Sequence, residues 1–180
     1  MSSNRPPVFT KKLIKRKKGD AFTKSIFLLG ILLLFLPPHP VEAATLSSTG
    51  DWNLTINSAN LISGAGSDLT DTYESPAVTS TLEVSGCTDE TEEWWIMVKR
   101  VDQIWDSGHF VLWVKRTSEG TGPGAVNGGE FLQEVTTDSA VFVSGQGNRS
   151  GITVQYQLTG ISIKTTPNIY SAAVEFTIEP

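Results

Sequence analysis

The chain has one cysteine, Cys87, and two histidines, of which only His109 lies beyond residue 43. A single cysteine excludes an internal disulfide framework, so stability has to come from burial. Cys87 itself reads as a small buried hydrophobe near a strand end. The sharper reading is an intermolecular disulfide; a lipoprotein role is excluded by its distance from the N-terminal apolar run. With so few histidines, a Ser-His-Asp triad would have to use His109. Its place after Gly108, ahead of an apolar run, instead reads as a polar turn residue. No Gly-rich phosphate loop, H-E-x-x-H motif or paired cysteine ligands occur. Glycoside hydrolysis needs two carboxylates at a defined separation, and the acids are too numerous for any pair to stand out. The expectation is a chain without catalytic activity and without a cofactor. A small secreted enzyme using His109 or a carboxylate remains the least favoured alternative.

Positive charge is scarce once the first 43 residues are set aside. Eight of the 14 Lys and Arg precede residue 44, but only two of the 19 Asp and Glu do, leaving six cations against 17 acids and a formal net charge of −11. Such a field repels nucleic acid and anionic membrane surfaces, so a nucleic-acid partner is excluded. The cations ahead of residue 44 have a different logic. "KKLIKRKKGDAFTK" leads into the apolar run Ser25–Leu36, then "PPHP" and "VEAA". A basic region, a short apolar core, prolines and small residues at Val41 and Ala43 make a secretory signal pattern, with cleavage expected after Ala43 and Ala44 as the alternative. A spanning helix needs about 20 apolar residues, and Pro37 stops this run well short of that. Residues 1–43 are therefore read as a signal peptide and 44–180 as one domain, secreted or held at the cell surface, with no stable membrane span after cleavage.

Long helical patterns are also missing beyond the leader; short alternating runs separated by Gly, Pro, Asn and Asp clusters take their place. "ATLSSTG" is polar and short of large apolar residues. "DWNLTI" places Trp52, Leu54 and Ile56 on one face, and residues 60–76 read as loop. In "VTSTLEVSG", Val78, Leu82 and Val84 share a face that Ser80 interrupts. "EWWIMVKRV" sets Trp94, Ile96 and Val98 opposite Trp95, Met97 and Lys99. "HFVLWVKR" sets Phe110, Leu112 and Val114 opposite Val111, Trp113 and Lys115, and "DSG" between these two runs predicts a hairpin at the middle of a sheet. The Gly-rich stretch 118–129 predicts a mobile surface loop. "EFLQEV", "AVFVSG" and "ITVQYQL" follow, and the phase changes at Gly160, where a bulge is expected. In the final run, Tyr170, Ala172, Val174, Phe176 and Ile178 alternate with more polar residues, so a strand is expected there, pairing with the Ile152–Leu158 run or lying beside the first strand. The fold class is all-β: an antiparallel Ig-like β-sandwich of about seven or eight strands.

"GISIKTTPNIYSAAVEFTIEP", with Tyr170, Val174, Phe176, Thr177 and Ile178, resembles the end of bacterial exported sandwich domains of the pilin and spore-coat-U type. The resemblance covers about the last thirty residues. It implies an Ig-like domain that builds surface fibres or coats. The function expected on this basis is structural or adhesive, at the cell surface.

Two clusters carry candidate sites. Trp95, Trp105 and Trp113 are the ligand-binding candidates. Exposed aromatic rings stack on sugars or anchor protein partners, so the alternative function is a carbohydrate-binding module; packing on the second face of a sheet is the plainer reading. The acidic run "TDETEE" offers Asp89, Glu90, Glu92 and Glu93 as candidate calcium ligands, although no EF-hand spacing is present and a solvated acidic loop is the simpler reading. Asp68 and Asp71 form a similar, weaker pair. Asn53 and Asn148 begin N-x-[ST] sequons, which matter only in a eukaryotic secretory pathway.

Overall fold

In the computed structural model, which describes residues 44–180, the alternating runs become nine strands. The expected leader and its cleavage site at Ala43 lie outside the described residues. The strands are β1 (Thr45–Thr49), β2 (Tyr73–Glu74), β3 (Ser80–Ser85), β4 (Glu93–Ile104), β5 (Val111–Ser118), β6 (Gln133–Glu134), β7 (Ala140–Gln146), β8 (Arg149–Thr159) and β9 (Ser171–Glu179). β2 and β6 are two residues long, so the seven longer strands carry the expected architecture. The larger sheet runs β1-β3-β8-β5-β6, with β2 also on β8; the smaller runs β7-β4-β9. Every pairing is antiparallel, the two sheets stack as a sandwich, and no α-helix occurs among the described residues.

Period-two patterning explains the core directly. Trp94, Ile96 and Val98 of β4 are buried against Leu82 and Val84 of β3, Leu112 and Val114 of β5, and Ile152 and Val154 of β8. Each such side chain contributes roughly 1.5–3 kcal/mol when withdrawn from water. A register shift between Ile96 and Met97 gives β7 one extra residue opposite β4, so that consecutive Phe142 and Val143 both reach the interior. Val174, Phe176 and Ile178 of β9 pack on the same core, and the Phe176 ring lies 5.9 Å from Phe142. Ser80 does not interrupt the inward row of β3. It is buried, and the Tyr156 hydroxyl shares a 2.9 Å hydrogen bond with its Oγ.

Several sequence expectations are corrected. β4 and β5 do not form a hairpin; they lie in opposite sheets. Alternation fixes which face of a strand is buried but not its neighbour, and here both inward rows fill one core from opposite sides. Trp105 and Phe110, edge to face at 5.5 Å, fill the corner where the chain changes layer. "DWNLTI" is not a strand, and the polar segment before it becomes β1 by occupying the edge of β3. Asn57 instead caps a short 3-10 turn, its Oδ1 accepting from the Ala59 N–H at 2.8 Å. β9 pairs with β4 from Trp95↔Glu179 to Ile104↔Ser171, not with β8 or β1. Gly160 ends β8 rather than bulging it, and a Cβ there would collide with the His109 carbonyl.

Candidate functional site

The register of β4 with β7 sets Trp95 opposite Ser144 and Glu93 opposite Gln146. Trp94 and Gly145 occupy the inward position between them, so these four side chains face outward from the smaller sheet. Gly145 has no substitute there, because a Cβ would sit 2.5 Å from the Trp94 ring. The Gly-rich loop runs beside β7 and is stitched to it at one point. Asn127 N–H donates to the Ser144 carbonyl at 2.8 Å and Ser144 N–H to the Asn127 carbonyl at 3.0 Å. Glu93, Trp95, Ala125, Asn127, Ser144 and Gln146 thereby line a cleft of about 190 Å³, with Trp94 and Gly145 completing it.

The loop that walls this cleft is tied to the larger sheet by side-chain hydrogen bonds to its carbonyls. Two buried arginines hold it from beneath. Arg116 of β5 donates from Nε to the Gly128 carbonyl at 3.0 Å and from Nη2 to the Val126 carbonyl at 3.3 Å and Glu130 Oε1 at 2.8 Å. Arg149 of β8, 3% exposed, donates to the carbonyls of Glu119 at 3.0 Å and of Pro123 and Gly124 at 2.6 Å. Ala125 and Asn127 lie between the clamped carbonyls. Taking a guanidinium out of water costs several kcal/mol, so each needs full compensation by such acceptors. Gly129, at φ 73°, completes the closure; a Cβ there would come within 2.6 Å of Val143.

No family model, curated protein or solved structure matches this chain. The chemistry of the cleft is thus read from its own residues. Trp95 is 36% exposed. Glu93 is the single charged residue in the lining, and its Oε1 accepts a long 3.4 Å bond from Gln146 Nε2. Amide, hydroxyl, carboxylate and indole are gathered without a cation. Such a set can bind a neutral polar molecule.

The other two tryptophans lie elsewhere. Trp113 projects from the outer face of the larger sheet, its Nε1 donating to Thr159 Oγ1 at 3.2 Å. Trp105 is half-buried at the layer-changing corner, with the Arg100 guanidinium 4.6 Å from its ring centre and its Nε1 buried without a partner. The sandwich separates the three rings, and only Trp95 stands in the cleft.

Of the acidic run, Glu93 alone reaches the cleft. Asp89 Oδ1 accepts from the Thr91 N–H and hydroxyl, both at 2.7 Å, and these bonds hold its carboxyl below the usual range. Glu92 Oε2 accepts from the Thr88 N–H at 2.6 Å and hydroxyl at 2.7 Å, whereas Glu90 is simply exposed. Among the described residues no three Asp, Glu, His or Cys side chains are placed to hold a metal ion. Asp68 and Asp71 pin the 60–72 loop to the Gly160–Ile163 turn: Asp68 Oδ1 accepts from the Ile163 N–H at 2.8 Å, and Asp71 Oδ1 from the Gly160 N–H at 3.2 Å. His109 Nδ1 lies 2.8 Å from Asp106 Oδ2 in the exposed turn between β4 and β5. Burial, and then the negative charge of Glu92 and Asp89, push the Cys87 thiol up.

Asn127, Ser144 and Gln146 escaped sequence reading because nothing local marks them. A usable signal did exist in Arg116, a cation on the same parity as the inward Leu112 and Val114, whereas Arg149 lies on the opposite parity to Ile152 and Val154 and turns inward only at a register shift. An arginine in such a row needs buried acceptors, and a neighbouring loop is where carbonyls are found.

Proposed function

We propose that this chain is an exported structural or adhesive β-sandwich protein of a bacterial cell surface, acting through contact rather than catalysis. The observation that carries the reading is the outward face of the smaller sheet. Trp95, Met97 and Val101 share one row of β4, with Val141 of β7 opposite Met97 and Ala173 of β9 opposite Val101. Apolar residues grouped on a sheet face, interspersed with Ser144, Thr177, Glu179 and the Lys99–Glu175 ion pair at 3.3 Å, are the material of a contact surface. The leader pattern over residues 1–43 supports export, and the resemblance of the last strands to pilin and spore-coat-U domains supports a surface role. β9 is also an edge strand paired on one side only, the type of edge to which another chain can add a strand.

Fractionation of the producing cells, with protease shaving of intact cells, tests this. A chain beginning near Ala44 and sensitive to external protease is expected. Recovery of the uncleaved chain from the cytosol alone refutes the reading. The second reading, a carbohydrate-binding module, is favoured by the Trp95 cleft.

A further inference from the structure

We infer that the cleft between β4, β7 and the 118–129 loop binds a single neutral saccharide ring, stacked on Trp95 and hydrogen-bonded by Asn127, Ser144, Gln146 and Glu93. The inference gives a ligand class to the carbohydrate-binding reading and rests on it. Four features of the cleft point the same way. Trp95 brings a partly exposed aromatic ring beside polar groups, which suits a ring with one C–H-rich face and a rim of hydroxyls. The polar lining mixes donors and acceptors, with two amides, a hydroxyl and a carboxylate, as a polyol requires. No cation lines the cleft and the chain beyond residue 43 carries −11, so anionic sugars are repelled. At about 190 Å³ the cleft lies below the roughly 300–1,000 Å³ typical of pockets for larger small molecules, which limits it to one ring with any remainder of a chain outside.

A peptide strand fits less well. It would need free main-chain groups along β7, but at Ser144 these are already taken by Asn127. The clamped loop supplies what weak sugar sites most need: a wall already in place before binding, so that little ordering is left to offset the contacts. Arg116 and Arg149 are positioning residues in this scheme, acting through the carbonyls on either side of Ala125 and Asn127.

The purified protein is titrated with neutral gluco-, galacto-, manno- and N-acetylglucosamine oligosaccharides, and with one sialylated and one sulfated oligosaccharide, by calorimetry and saturation-transfer NMR. Binding of at least one neutral sugar is expected, weakened tenfold or more in Trp95→Ala and in Asn127→Ala and unchanged in Trp113→Ala. Trp95→Phe, which keeps an aromatic face, should bind better than Trp95→Ala, and melting temperatures should show that the variants fold. No binding across the neutral sugars overturns the inference, as does tighter binding of the anionic ones or unaltered binding in Trp95→Ala. A protein found at the cell surface that binds no sugar defeats this inference alone. One that binds sugar but stays in the cytosol defeats the surface reading alone.

Discussion

Replacing Arg149 by Met tests whether the buried guanidinium, rather than the loop's own sequence, holds the 118–129 loop in place. Three hydrogen bonds to main-chain carbonyls would vanish, at 2.6, 2.6 and 3.0 Å. Bonds to a charged donor contribute about 1.5–3 kcal/mol each. Against this stands the desolvation of the guanidinium, several kcal/mol, which Met does not incur. The Nε of Arg149 is buried without a partner and adds to that penalty. The three carbonyls left behind can recover water only if the loop lifts. The balance comes to about 2–3 kcal/mol against the variant, felt mainly as loop opening, set against a total stability of about 5–15 kcal/mol. For a domain of this size that lowers Tm by roughly 6–12 °C while leaving the protein folded. Hydrogen exchange should quicken at Thr121 N–H, which donates to the Ser150 carbonyl, and at Asn127 N–H, with little change at the β4–β9 amides. An Arg149→Met protein that melts at the wild-type temperature with those loop amides equally protected would show that the guanidinium does not hold the loop.

Three further outcomes follow from the same structure. Ending the chain at Ile169 removes β9, unpairs one edge of β4 and exposes the core beside Val174, Phe176 and Ile178, a loss of roughly 5–8 kcal/mol; the truncated protein should be insoluble or rapidly proteolysed, and cooperative unfolding near the full-length temperature would contradict this. Tyr156→Phe deletes the buried hydrogen bond to Ser80 without removing volume, so about 1 kcal/mol should be lost in denaturant melts with an unchanged m-value. Main-chain N–H groups of Ile163 and Leu69 hold the Asp68 carboxyl below its ordinary value of about 3.9. Its contribution is therefore present above that value and lost as pH falls through the lower folded-state value, so protection of the Ile163 amide, measured relative to its intrinsic exchange rate, should fall below about pH 4 in the wild type but not in Asp68→Asn.

Residue patterning alone specifies the two-layer all-β character and most of the core. Strict alternation in β4, β5, β8 and β9 marks Trp94, Ile96, Leu112, Val114, Ile152, Val154 and Phe176 as inward, because a strand's side chains can only alternate faces. It could not determine which strands are neighbours. Pairing partners depend on long-range packing, so β4 and β5, adjacent in sequence with a good turn between them, part into opposite sheets, and β9 crosses to β4. The assembly of the candidate site lies in that second category. Trp95 and Glu93 stand out locally, but Asn127 and Ser144 join them only because β7 pairs with β4 and two buried arginines, far apart in the chain, draw a glycine-rich segment against its edge. Composition had marked that segment for freedom. The desolvated charges beneath it, bonded to its carbonyls and, for Arg116, also to Glu130, turned it into a wall.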